Sequence, residues 1–115
     1  MNSFLKAIVV MASNRTTYKW LLNIQPVAKH NFDRLTSGQK QGIFRKLREL
    51  LVADDPYGLP FVEMLKAEQF QRVRKFRVGD YRVFFVIEAV EANHLNHTYK
   101  GTLFLLDIRN RREAY

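Results

Sequence analysis

The stretch "RKFRVGDYRVFF", residues 74 to 85, decides the fold. Cations and apolar or aromatic side chains are interleaved on both sides of a central Gly79-Asp80 pair. Alternation of this kind predicts two β-strands, and a Gly-Asp pair between two such runs predicts a tight hairpin turn. Four of these residues are Lys or Arg, so the predicted hairpin also concentrates positive charge.

The strands of this hairpin are predicted over residues 70 to 78 and 81 to 89, and a further strand over 102 to 108. Residues 17 to 24 place large apolar side chains at every second position, which predicts an earlier strand. Residues 91 to 101 are polar and have no clear period. They are therefore predicted to form a loop.

Two helices are predicted between the first strand and the hairpin. Pro26 suits the first turn of a helix, where its missing N–H group would be unpaired in any case. Thr36 and Gln39 have the spacing of a capping box, which predicts the start of the second helix. This helix should end near Ala53, because the residue before Pro56 is disfavoured in helical geometry. The sequence predicts an α+β domain: an N-terminal strand, a helical hairpin and a three-stranded antiparallel meander.

The composition predicts a small globular domain with a strong positive charge. The 115 residues include 19 Lys and Arg against 11 Asp and Glu, which gives a net charge of +8. A surplus of this size attracts polyanions. The chain has no cysteine, which excludes disulfides and Cys-based zinc sites and fits a reducing cytoplasm. No apolar run approaches the roughly 20 residues needed to cross a bilayer, so no membrane association is predicted.

No cofactor and no metal site are predicted. His94 and His97 are close in sequence, but two histidines on a loop without a third ligand do not make a metal site. We interpret residues 1–16 as an N-terminal extension and residues 17–115 as a single domain.

Two strings and the helices before them resemble the RelE/ParE superfamily of bacterial toxins. The string "LKAEQFQRVRKFRVGDYRVFFVI" is similar to the family's Leu-Lys/Arg-Gly pattern followed by basic-x-Arg-x-Gly-x-Tyr-Arg and an aromatic strand. The string "IRNRREAY" is similar to the closing Arg-x-Arg-x-x-x-Tyr. The helical hairpin from Leu35 to Leu51 precedes both. The resemblance covers roughly residues 17 to 115 and implies a microbial RNase-type fold.

The resemblance implies a small cytoplasmic toxin that a cognate antitoxin holds inactive. In the RelE branch, the partners are mRNA and the ribosome, and the toxin is a metal-independent endoribonuclease (an mRNA interferase, a hydrolase) that inhibits translation. In the ParE branch, similar folds inhibit DNA gyrase. A third interpretation is a non-catalytic protein that only forms a repressor complex with an antitoxin. An acidic antitoxin segment is expected in the groove between helices and sheet or at the sheet edge.

Cleavage of RNA through its own 2′-hydroxyl requires that hydroxyl to lose a proton, the phosphate charge to be stabilised, and the 5′-oxygen to gain a proton. The histidines of the chain fall outside the basic hairpin, which leaves Lys, Arg and Tyr as candidates. The resemblance implies Tyr115 as general base or positioner of the 2′-hydroxyl, Arg82 and Arg109 as phosphate ligands, and Lys75 as proton donor. The remaining cations near these positions are expected to bind RNA: Arg72, Arg74, Arg77, Arg111 and Arg112.

Two positions bear on how the site is interpreted. Arg77 is also a candidate structural partner of Asp80 or Asp107. Val73 stands where the ribosome-dependent members of the family carry a Lys, and this departure keeps the gyrase alternative open. Arg72 or Arg74 would have to supply the missing charge from nearby.

Overall fold

The structure is a computed structural model, and it describes residues 17–66 and 72–112. The predicted N-terminal extension and Tyr115 lie outside the described residues. The elements follow in chain order: β1 (Trp20–Ile24), α1 (Pro26–Asp33), α2 (Ser37–Val52), a 3₁₀ turn (Pro56–Gly58), β2 (Glu63–Met64), β3 (Arg74–Val78), β4 (Tyr81–Glu88), β5 (Ala92–His94), β6 (His97–Tyr99) and β7 (Gly101–Asn110).

Five of the strands form one mixed sheet in the order β1-β7-β4-β3-β2. The strands β3, β4 and β7 are antiparallel neighbours, which confirms the predicted meander. At the far side, β1 lies parallel to β7, with Trp20 opposite Gly101 and Ile24 opposite Leu105. The predicted α+β architecture is therefore confirmed, and the parallel β1–β7 pair makes β7 an inner strand of the sheet.

The turn at Gly79-Asp80 has the geometry that the sequence predicts. Val78 pairs with Tyr81, so the loop between the strands contains two residues. Gly79 has a φ of +58°, a conformation that glycine adopts without a steric penalty and that the first position of a type II′ turn requires. The backbone N–H of Arg111 donates to the Asp80 carbonyl at 2.6 Å. This bond attaches the end of β7 to the turn.

The capping box at the start of α2 is present. The Thr36 hydroxyl accepts the Gln39 backbone N–H at 3.2 Å, and the Gln39 side chain accepts the Thr36 N–H at 2.9 Å. The helix ends at Val52, one residue before the predicted end. Its apolar face packs on one face of the sheet. The fully buried side chains at this contact include Ile43, Leu47, Leu50, Phe76, Phe85 and Leu105.

The prediction of a loop over residues 91 to 101 is wrong. Residues 92 to 99 form a separate two-stranded hairpin, β5–β6, in which His94 pairs with His97. Its turn residues, Leu95 and Asn96, both have positive φ values, +49° and +65°. Asparagine is common in that conformation but leucine is rare there, so the turn lacks the Asn-Gly or Asp-Gly pair that predicts a two-residue hairpin turn. The hairpin also exposes most of its side chains, which explains why its sequence shows no hydrophobic alternation.

Within residues 17–66 and 72–112, no helix is long and apolar enough to span a membrane.

Candidate nucleic-acid interface

Three arginines lie side by side across the three antiparallel strands. Arg77 of β3 pairs with Arg82 of β4, and Arg82 pairs in turn with Arg109 of β7. We call these three residues the arginine row. Neighbouring strands are about 4.8 Å apart, so the three side chains arise within roughly 10 Å. Like charges directly opposite each other destabilise a sheet. Folding alone therefore does not favour this arrangement.

The arginine row lies on the face of the sheet opposite the core. Side chains alternate between the two faces of a strand, and Phe76 and Val83, which flank the row in sequence, are fully buried against the helices. Lys75 has the same orientation as Arg77, two residues along β3, and pairs with Phe84. Lys75 therefore extends the cationic surface along β3.

The three arginines differ in their exposure to solvent. The side chains of Arg77 and Arg109 are 57% and 52% exposed, whereas Arg82 is only 8% exposed. The row thus has two accessible ends and a shielded centre. Electrostatic interactions are stronger where water is partly excluded, so an anion that reaches Arg82 would be held more strongly than one on the rim.

Carboxylates hold the two outer members of the row. Arg77 Nε lies 3.3 Å from Glu63 Oε2, so its ion pair is with Glu63 and not with Asp80 or Asp107 as one interpretation of the sequence proposed. Arg109 Nε donates to Asp107 Oδ2 at 2.6 Å. Each contact is made through Nε, which is one of the five N–H donors that an arginine carries in a rigid fork.

Asp107 connects the arginine row to helix α1. Its Oδ1 accepts from Asn31 Nδ2 at 2.9 Å and from the backbone N–H of Ile108 at 2.8 Å, while Oδ2 accepts from Arg109. Asp107 can contact both Asn31 and Arg109 because β1 stops pairing with β7 at Leu105, so α1 lies beside the rest of β7. Sequence reasoning missed this positioning role. An acid two residues before Arg109 on the same strand was the available signal.

A small pocket opens at the turn end of the row. Its volume is about 60 Å³, and its lining consists of Arg77, Gly79, Asp80, Tyr81, Arg82 and Arg111. Three guanidinium groups can converge on one anionic group here, because the planar arginine fork matches the oxygens of a phosphate. The one carboxylate in the lining, Asp80, offsets part of that charge. The pocket therefore suits a single phosphate group of a longer chain.

The structure brings together five of the predicted site residues: Lys75, Arg77, Arg82, Arg109 and Arg111. Arg112 follows them at the end of β7, is exposed, and donates its backbone N–H to Asn110 Oδ1 at 3.0 Å. The predicted catalytic residue Tyr115 is outside the described residues, and its role stays a prediction.

Two predicted RNA-binding residues lie at the other end of the β3–β4 hairpin. The Arg74 guanidinium packs on the ring of Tyr57, 4.4 Å from its centroid. Arg72 Nη2 donates to the Ile87 carbonyl at 3.5 Å. The Tyr57 hydroxyl donates to the Arg72 carbonyl and accepts the Ile87 N–H at 3.0 Å. The structure therefore does not place Arg72 or Arg74 with the arginine row.

The comparisons with known proteins bear on the fold. No protein-family model matches the chain, and no curated protein matches it. Among solved structures, the chain is similar to the crystal structure of the toxin–antitoxin complex RelBE2 from Mycobacterium tuberculosis, with a TM-score of 0.51 and 16% sequence identity. The match covers 84% of this chain and 95% of the matched chain. The chain has a RelE-like fold.

Proposed function

We propose that this protein is the toxin of a toxin–antitoxin pair and that it cuts mRNA without a metal ion, at the ribosome, and so inhibits translation. The observation that carries this proposal is the arginine row, with Arg82 shielded at its centre. The RelE-like fold supports it, since the matched structure is a toxin–antitoxin complex.

The proposed reaction breaks one bond and forms another at the phosphorus atom. The 2′-oxygen of RNA attacks the phosphorus and the bond to the 5′-oxygen breaks, which leaves a cyclic 2′,3′-phosphate and a free 5′-hydroxyl. Tyr115 would accept or position the 2′-hydroxyl proton, and Lys75 would donate a proton to the 5′-oxygen. Negative charge grows on the non-bridging phosphate oxygens during this step.

The arginine row is suited to that charge. Arg82 is largely shielded from solvent between β3 and β7, and donors that the fold has already placed stabilise a developing anion with little rearrangement. The more exposed Arg77 and Arg109 would contact the RNA backbone first and guide it toward Arg82. Arg111, fixed beside the turn through its backbone, would bind a flanking phosphate.

The same charge explains how an antitoxin would neutralise the protein. An acidic segment laid across the arginine row would cover the phosphate site and be attracted by the same guanidinium groups. Binding of such a segment should weaken as salt rises. Affinity that is equal at low and high salt would contradict the electrostatic part of this proposal.

The test is induced expression in bacteria with primer extension on mRNA, with and without blocked translation. We expect translation to stop before DNA replication, and we expect new 5′ ends in mRNA only while ribosomes are translating. Arg109→Ala should lose this effect. Arg48→Ala is the matched control, because Arg48 is an exposed arginine on α2. Arrest of DNA replication while translation continues would overturn the proposal in favour of gyrase inhibition.

A further inference from the structure

A second pocket lies next to the arginine row, on the opposite face of the sheet. Its volume is about 110 Å³, and it is lined by Asn31, Arg34, Leu35, Tyr81, Ile108 and Asn110. The function proposed above does not use it. Pockets for drug-sized ligands usually measure about 300–1,000 Å³, so this one fits a small flat group or one part of a longer ligand.

The position of this pocket relates it to the phosphate site. Tyr81 pairs with Asn110 in the register step directly beside the pair of Arg82 and Arg109. Adjacent residues on a strand are about 3.4 Å apart and point to opposite faces. A nucleic acid that passes round this end of the sheet could therefore place a phosphate on the row and a neighbouring base in the pocket.

Two hydrogen bonds fix the orientation of the pocket's amides. Asn31 Nδ2 donates to the Asp107 carboxylate at 2.9 Å, and a carboxylate only accepts, so Asn31 Oδ1 is left as an acceptor. Asn110 Oδ1 accepts the Arg112 N–H at 3.0 Å, so Asn110 Nδ2 is left as a donor. Within residues 17–66 and 72–112, no hydrogen bond occupies these two atoms or the Arg34 guanidinium.

The available groups form a recognisable set. The pocket offers donors from Arg34 and Asn110, an acceptor from Asn31, apolar contacts from Leu35 and Ile108, and the aromatic ring of Tyr81. Guanine presents two adjacent acceptors, O6 and N7, which arginine contacts in a bidentate manner, and its ring also carries N–H donors. Adenine replaces the O6 acceptor with an amino donor and would oppose the donors of Arg34 and Asn110.

We propose that this pocket holds a guanine base of the RNA substrate, next to the phosphate bound by the arginine row, and so gives the protein a sequence preference. This inference rests on the proposed function, because it requires RNA to reach the row. Unstacked bases of single-stranded RNA are commonly recognised in this way, by stacking on aromatic or apolar groups and by hydrogen bonds to their edges.

The first experiment measures binding by the purified full chain to fluorescein-labelled, 2′-O-methyl RNA hexamers, which cannot be cut. One hexamer contains a single guanine in a cytosine background, and the others carry adenine, cytosine or an abasic residue at that position. Anisotropy should show the guanine hexamer bound roughly 10-fold more tightly or better, which is the discrimination that one good bidentate contact provides.

The second experiment removes the hydrogen-bond donors of Arg34 without adding bulk to the pocket. Arg34→Met should reduce the preference for guanine to about 2-fold or less while the cytosine hexamer loses only the effect of one charge. Arg48→Met is the matched control: it removes the same charge from an exposed site on α2 and should keep the preference. Asn110→Ala is a second pocket variant, and thermal melting establishes that each variant is folded.

The outcomes separate this inference from the proposed function. Equal binding of all hexamers by the parent would overturn the guanine pocket but leave RNA binding by the arginine row intact. An unchanged guanine preference in both Arg34→Met and Asn110→Ala would overturn it as well. Binding of no hexamer, in low salt and with folded protein, would also overturn the guanine pocket, but it would leave the proposed function to the expression test, because the proposed cleavage takes place at the ribosome.

Discussion

The two ends of the β3–β4 hairpin both carry arginines, but they hold them differently. At the turn end, Arg77 and Arg82 lie opposite each other and Arg109 continues the row. At the open end, Arg74 packs on the ring of Tyr57, and Arg72 bonds to the Ile87 carbonyl. The turn end brings its arginines together on the face of the sheet opposite the core. The open end packs its arginines against an aromatic ring and a backbone carbonyl.

The difference follows from the position of each residue along β3. Arg74 and Arg77 are three residues apart, so their side chains point to opposite faces of the strand. Arg74 shares its face with Phe76, which is fully buried, and there it meets Tyr57. Arg77 faces away from the core and meets Arg82 and Glu63. Residue type alone therefore does not predict which arginines form a binding surface.

Substitution of the shielded arginine should have the largest effect. Arg82→Ala should slow mRNA cleavage roughly 100- to 1,000-fold, because loss of one preorganised contact to a developing anion commonly costs about 3 to 4 kcal/mol. Arg74→Ala, at the open end, should cut at close to the parental rate. The measurement is single-turnover cleavage on programmed ribosomes.

Melting temperatures of both variants provide the control, because arginine stems also contribute packing. If Arg82→Ala is folded and cuts as fast as the parent, the turn end is not the catalytic end. If Arg74→Ala loses as much activity as Arg82→Ala, the contrast between the two ends is wrong.

Substitutions at the open end of the hairpin should change the stability of the fold and leave RNA affinity unchanged. Tyr57→Phe removes a hydroxyl that bridges the Arg72 carbonyl and the Ile87 N–H. The bond to the Arg72 carbonyl is exposed and the bond from the Ile87 N–H is partly buried. A typical hydrogen bond contributes about 0.5–1.5 kcal/mol, so we expect the free energy of unfolding to fall by about that amount in urea denaturation. RNA affinity measured well below the unfolding transition should not change. A stable variant with weakened RNA binding would place Tyr57 at the interface instead.

Salt dependence should distinguish the two ends by the phosphates they contact. For single-stranded nucleic acid, each contacted phosphate contributes about 0.7 to the slope of log affinity against log salt. Arg77→Ala should therefore lower the slope by about 0.7, whereas Arg72→Ala should leave it unchanged. Anisotropy titrations of one labelled RNA between low and moderate salt measure both slopes. Equal slopes for the two variants would contradict the assignment.

The smallest effect is expected from the stacked arginine. Arg74→Gln removes the charge above the Tyr57 ring, a contact worth about 0.5–1 kcal/mol at a partly exposed site. We expect a loss of stability of that size in denaturant titration, with RNA binding retained. A matched comparison is Arg74→Gln in the Tyr57→Leu background. There the loss should disappear, and an equal loss in both backgrounds would show that the ring contact contributes nothing.

Much of the fold follows from local sequence signals. Gly79-Asp80 predicts the hairpin turn, and a two-residue turn fixes Arg77 opposite Arg82. Thr36 and Gln39 predict the start of α2. The hairpin β5–β6 could not be predicted, because its turn uses Leu95 at positive φ and its strands are largely exposed. The parallel pairing of β1 with β7 depends on tertiary packing, which no local pattern encodes.

The candidate site is predictable only in part, because its assembly also depends on tertiary packing. The sequence indicates which cations are near the hairpin, but the pairing of Arg82 with Arg109 depends on a register that shifts at the irregularity between Phe84 and Phe85. The roles of Glu63 and Asp107 depend on β2 and on the end of β1, which set the surroundings of the row. Tertiary register, rather than composition, builds this surface.

The place of β7 in the sheet has a consequence for how activity arises during synthesis. β7 is the last strand of the described fold to be made, yet it lies between β1 and β4. The sheet cannot close until this strand emerges, and pairing of Trp20 with Gly101 joins distant parts of the chain, which slows folding. Arg109 also arrives only with β7. A nascent chain would carry the basic hairpin without the complete row, so the proposed cutting activity would begin only after β7 has folded into the sheet.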